Sequence, residues 1–231
     1  RPPAQFLSVW SGAGVHGFDS PLRLGGVVVQ PAEVVLGIRG WEDAFEQTLD
    51  LEVAERPVPV ALFEIEKIVR MMLHQSGLAF EILTSPAVLC DTSCFDARAI
   101  VEAAITTEIV HHYRDIAGGW LERLAEAEGR GASAADVLDV FRHALTGLGL
   151  MRGEVDLRLW ATVERYADAE LEGLLREVQR GAKIAGELLD ELLDRGRRLV
   201  AGLSPEDAAL PARPNDYDGL DDLVVSLRQA C

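Results

Sequence analysis

Residues 6–39 read FLSVWSGAGVHGFDSPLRLGGVVVQPAEVVLGIR, and the order of their parts decides the fold class. An apolar strand at 6–10 runs into a glycine turn, a short polar link leads to a second apolar strand at 24–29, and Pro31 opens the next segment. Gly12, Gly14 and Gly17 let the backbone approach an anion with no Cβ in the way, a layout that suits a triphosphate. A centre that moves a nucleotidyl group also needs carboxylates to hold Mg²⁺ against the phosphates. The link offers only Asp19, with no acid between Ser20 and Gln30. The run GAGVHG at 12–17 has the spacing of a dinucleotide fingerprint, but it feeds a link and a strand instead of the helix whose N-terminus holds the pyrophosphate in that fold. Neither a nucleophile-elbow run nor a P-loop run occurs.

This turn and strand resemble the polymerase-beta-like nucleotidyltransferases, in particular the family linked with RNA repair, through Gly12, His16, Gly17, Ser20, Pro21, Gly26 and Val27. That family shows a Gly-Ser turn, then an Asp-x-Asp pair at the start of the next strand and a Gly-Val exit. The likeness continues in FEIEKIVRMMLHQSGLAFEILTSPAVL at 63–89, HHYRDIAGGWLERL at 111–124, FRHALTGLGLMRGEVDL at 141–157 and GLDDLVVSLR at 219–228. It implies an α/β fold with a small mixed sheet of the nucleotidyltransferase type, spanning 1–95, followed by a helical C-terminal lobe at 96–231. It also implies a remnant nucleotide pocket of Gly12, Ala13, Gly14, His16, Gly17, Ser20 and Arg142.

The departures from the pattern carry the functional expectation. Ala13 stands where the family places a nucleotide-contacting Ser, and Pro21 runs directly into LRLGG where the Asp-x-Asp pair belongs, with Arg23 near the second acid. Pro59 takes the place of a third carboxylate five residues before Glu64, and Ala135 aligns with a family Lys. The resulting expectation is a catalytically degenerate nucleotidyltransferase-fold protein, with no catalytic residue, metal ligand or cofactor. It would act by binding a protein or a ligand in an assembly. The alternative is an active enzyme in which an acidic loop between Pro21 and Leu22, absent from this sequence, joins Glu64 or Glu66 to hold Mg²⁺ and transfer a nucleotidyl group from an NTP.

The 231 residues, 48% of them hydrophobic, suffice for a sizeable core. No apolar run approaches a membrane span, and no basic n-region precedes an apolar h-region at the start, so the expected compartment is the cytoplasm. An odd count of three cysteines argues against a disulfide framework. The formal net charge is −16, from 38 acidic against 22 basic residues. Such a surface repels a phosphate backbone, so nucleic acid is a poor partner, whereas a homo- or hetero-oligomer with a protein partner fits the charge better. The run RGRRLV at 195–200 reads as the cationic end of a solvated helix.

Further along the chain, 57–62 reads as a strand that its two prolines confine to an edge or a bulge. Residues 63–75 place Phe63, Ile65, Ile68, Val69, Met72 and Leu73 on one helical face, and 97–127 reads as one long helix with a possible kink at Gly118–Trp120. Ser133 with Asp136 caps a helix carrying Val137, Leu138, Phe141, Leu145 and Leu148. Two more helices follow at about 169–181 and 183–201, and 202–218 is a turn-rich surface loop. His111 and His112 diverge by about 100° on a helix and cannot share a metal. Cys90 and Cys94 have no second pair and read as half-buried core residues, with Asp91 and Asp96 as turn formers. His16 is the histidine placed to contact an occupant of the turn, with a purely structural role its equal rival. Arg142 either faces the old cleft or pairs with an acid across the lobe boundary. With the metal acids lost, the structural tie is expected.

Overall fold

The computed structural model describes residues 4–36, 46–53, 55–92, 95–126 and 132–230. Its strands are β1 (Phe6–Ser11), β2 (Arg23–Val28), β3 (Glu46–Val53), β4 (Arg56–Glu64) and β5 (Val88–Asp91). They form one mixed sheet in the order β3-β4-β2-β1-β5, with β2 and β4 parallel and the other neighbours antiparallel. The first helices are α1 (Ala13–His16), α2 (Ala32–Leu36), α3 (Ile65–Leu73), α4 (Gly77–Thr84) and α5 (Ala97–Ala104). After them come α6 (Glu108–Glu126), α7 (Ala134–Met151), α8 (Leu159–Tyr166), α9 (Ala169–Gln179), α10 (Glu187–Ala201) and α11 (Tyr217–Ala230). The architecture is therefore a mixed sheet near the N-terminus and a helical C-terminal region, as the α/β reading expected.

The chain forms two compact units, one of residues 1–15, 21–106 and 213–231, the other of 16–20 and 107–212. In the first, strand alternation places Phe6, Val27 and Phe63 in register on one face of the sheet. Helix α4 lies close on that face: a Cβ on Gly25 would stand 2.4 Å from Ile82, and the Ser8 hydroxyl donates to the Ile82 carbonyl at 2.7 Å. The opposite face carries a smaller apolar cluster built on Leu24, Val58 and Val60. In the second unit, Val137, Phe141 and Leu145 of α7 pack with Leu121 and Leu124 of α6, Leu171 and Leu175 of α9, and Leu189 and Leu192 of α10. This periodicity was readable, and Ser133 caps α7 as expected, accepting from the Asp136 N–H at 3.1 Å.

Several local expectations are corrected. Strand β4 is interior, between β3 and β2, and not an edge. Its prolines are accommodated because β2 pairs only from Val60 onward, so Pro57 and Pro59 lie where β3 is the sole neighbour. Two residues apart, both ring nitrogens face the same, unpaired side. Phe63 belongs to this strand and not to the helix that follows. The long helix at 97–127 is two helices, broken at Ile105–Thr107 and continuous through Gly118 and Gly119. At the break Ile105 is extended (φ −67°, ψ 138°), the Thr106 N–H goes to the Gln75 side chain, and the Thr107 N–H goes to the Pro211 carbonyl. The link after β1 contains one helical turn, α1, where no helix was expected. Cys90 is half-buried as expected, and Cys94 lies outside the described residues.

Candidate functional site

Two of the three glycines of the turn are packed by neighbouring side chains. Gly12 (φ +147°) has the Leu22 side chain 3.2 Å from where its Cβ would stand, whereas Gly14 has nothing within 4 Å. Gly17 (φ +82°) lies against Trp160, whose Cδ1 is 3.0 Å from the position of a Cβ. The Trp160 indole N–H donates to the Gly17 carbonyl at 2.9 Å, and the Arg176 guanidinium stacks 3.7 Å from the ring centroid. Gly17 thus meets an indole on the side a Cβ would occupy. Ala13 opens α1 and is exposed.

His16, at the end of α1, is 3% exposed, and its Nδ1 lies 3.3 Å from the Ser20 hydroxyl. Arg142 is 2% exposed; its Nε donates to Asp139 at 2.8 Å and its Nη2 donates to His143 Nε2 at 2.8 Å. His143 Nδ1 meets the Asp139 carbonyl at 2.7 Å. A carbonyl only accepts, so Nδ1 bears a proton and donates to it. Burial pushes the Asp139 carboxyl up, but Arg142, His143 and His16 together outweigh it and hold the group below the ordinary aspartate value. His16 and Arg142 therefore belong to one polar cluster around Asp139, within the helical unit. Asp139, which pairs with Arg142, lies one turn back on the same helix. Asp139 and His143 escaped the sequence reading, although their i, i+3, i+4 spacing with Arg142 was available as a signal. Trp160 and Arg228 left no comparable mark.

The positions expected to matter for metal are equally explicit. Arg23 begins β2 and lies over the Trp10 ring at 5.6 Å, and Pro59 faces Asp50 across the β3–β4 ladder. Asp19 is exposed. Glu64, at the end of β4, is fully buried; one of its oxygens accepts the Glu66 N–H at 2.7 Å and caps α3. Its two oxygens also take Nε and Nη2 of Arg228 from α11, at 3.2 and 2.8 Å. Glu66 accepts from Arg228 at 2.8 Å and pairs with Arg70 at 2.6 Å. Burial raises the Glu66 carboxyl, but Arg228 and Arg70 more than reverse this and leave it below the usual glutamate value. Both candidate third acids are thus ligands of arginine. Among the described residues no three His, Cys, Asp or Glu side chains are grouped to hold a metal ion. No described helix is long and apolar enough to cross a membrane.

No curated protein matches the chain. Among solved structures, the chain is similar to a nucleotidyltransferase-like protein from Exiguobacterium sibiricum 255-15. The identity is 10%, with 97% of this chain and 70% of that chain covered and a TM-score of 0.30. A family model matches residues 6–226, almost the full length given, and on that match the chain belongs to the RlaP family, the RNA repair pathway DNA polymerase beta family.

Proposed function

We propose that this member of the polymerase beta family works by binding, without metal-dependent nucleotidyl transfer. The observation that carries the reading is Glu64. It is the buried carboxylate at the end of a central strand, and its oxygens are taken by the cap of α3 and by the Arg228 guanidinium. Turning it toward a metal would take from the partly buried Arg228 guanidinium one of its two carboxylate partners and leave a helix uncapped. Ala13, Arg23 and Pro59 support the same reading, because none supplies an oxygen ligand from its side chain.

The function is then association with a protein partner, in a homo- or hetero-oligomer, with the polar cluster of His16, Asp139 and Arg142 as the remnant of a ligand pocket. A net charge of −16 favours a basic protein over nucleic acid, and the cytoplasm is the compartment this reading assumes. Calorimetry with each NTP, with and without Mg²⁺, tests the proposal. The expected result is no gain in nucleotide affinity on adding Mg²⁺; clear metal-coupled binding would return the chain to the enzymes.

A further inference from the structure

Helices α3 and α11 both belong to the sheet unit, and a groove of about 430 Å³ lies between them. Its apolar lining comes from Val69 and Leu73 of α3 and from Tyr217, Leu220, Val224 and Val225 of α11. On each helix the lining residues recur at i, i+3/i+4 and i+7, so each presents one continuous stripe to the groove. Leu220 and Val224 form its floor, whereas Tyr217 and Val225 remain 63% and 48% exposed on its wall.

The charges of this groove are unevenly spent. Arg228 and Arg70 share Glu66, and Arg228 also holds Glu64, so two cations and two carboxylates neutralise one another at one end. Toward the other end the lining includes Asp221, exposed and in no ion pair among the described residues, with Asp218 and Asp222 exposed beside it on α11. An apolar trough with unspent carboxylates on its rim calls for an amphipathic segment carrying cations. A second copy of this chain meets the groove with a charge of −16, and a nucleic acid meets it with phosphates, so both are disfavoured.

We propose that the α3–α11 groove is the docking site for a basic amphipathic helix of a protein partner. The inference rests on the binding reading above and gives it an address. Apolar side chains of the partner occupy the space between Val69, Leu73, Val224 and Val225, and a lysine or arginine reaches Asp221. A fluorescently labelled synthetic helix of leucine and lysine is the probe, titrated by anisotropy against the full chain, with a labelled leucine–glutamate helix and a labelled single-stranded RNA each titrated separately. Saturable binding of the basic helix is expected, and no comparable binding of the acidic helix or the RNA. Val225→Asp should weaken it about tenfold or more, and Asp221→Lys should weaken it and flatten its salt dependence. Val225→Asp makes the surface still more acidic, so loss of affinity in that variant separates the groove from general charge attraction; circular dichroism confirms that both variants are folded. No saturable binding, equal binding to the folded Val225→Asp variant, or binding of the acidic helix or the RNA as tight as that of the basic helix overturns the proposal. None of these outcomes alters the nucleotide calorimetry, so failure of the groove and failure of the binding reading are distinguishable.

Discussion

Gly17 has φ +82° and the Trp160 ring 3.0 Å from the position of a Cβ, so alanine there meets both a backbone and a packing penalty. The left-handed conformation alone costs about 1–2 kcal/mol for a residue with a Cβ. Gly17→Ala should lose at least that in urea unfolding, and should lose measurably less in a Trp160→Ala background, where the packing part is gone. Strictly additive losses would show that the indole does not constrain the turn. Arg142→Ala leaves Asp139 without its guanidinium and should lower the melting temperature, at a cost of about 1–3 kcal/mol. Unchanged stability together with lost binding of an anionic ligand would instead place Arg142 in a working cleft. The glycines and Arg142 were legible as special residues. Their partners were not, because Trp160 is 143 positions from Gly17 and no local pattern links them.

At the scale of elements, Gln75 holds the connection from α5 to α6. Its amide donates to the Met72 and Ala104 carbonyls and accepts the Thr106 N–H, each at 2.9 Å. Gln75→Ala should cost about 1–3 kcal/mol and speed hydrogen exchange at Thr106. The same contact explains why one long helix at 97–127 was a wrong expectation: the apolar period carries on across Ile105–Thr107, and the break is imposed by a side chain from 31 residues upstream. Strand β4 was mislocated at an edge for a related reason, since a proline rule knows the strand but not where its neighbour stops. Helix α11 is fastened by Arg228, and the fastening is pH-dependent. With its carboxyl held below the ordinary value, Glu66 contributes stability that is fully present above about pH 4–5 and is lost as pH falls through its lower folded value. The stability gap between wild type and Arg228→Ala should therefore be widest near neutrality and close in acid; a gap that stays constant down to pH 3 would deny Glu66 that role.

Over the whole molecule, family membership and the arrangement of carboxylates point in different directions. The match over residues 6–226 assigns the chain to the RNA repair pathway DNA polymerase beta family, while Glu64 and Glu66 are engaged by arginines and the glycine turn is packed by Leu22 and Trp160. The sheet-then-helices order was legible because strand alternation and helical periodicity are local, and the family was legible from the resemblance of the glycine turn and of the stretches at 63–89, 111–124, 141–157 and 219–228. The fate of Glu64 was not, since Arg228 reaches it from 164 positions away. Mn²⁺, which shares the oxygen-ligand preference of Mg²⁺, gives the most direct measurement of what remains of a metal centre. In an electron paramagnetic resonance titration of the chain with Mn²⁺ and ATP, the account predicts only the signal of free Mn²⁺ and of Mn²⁺–ATP. A stoichiometric protein-bound Mn²⁺ that disappears in Glu64→Gln would contradict it.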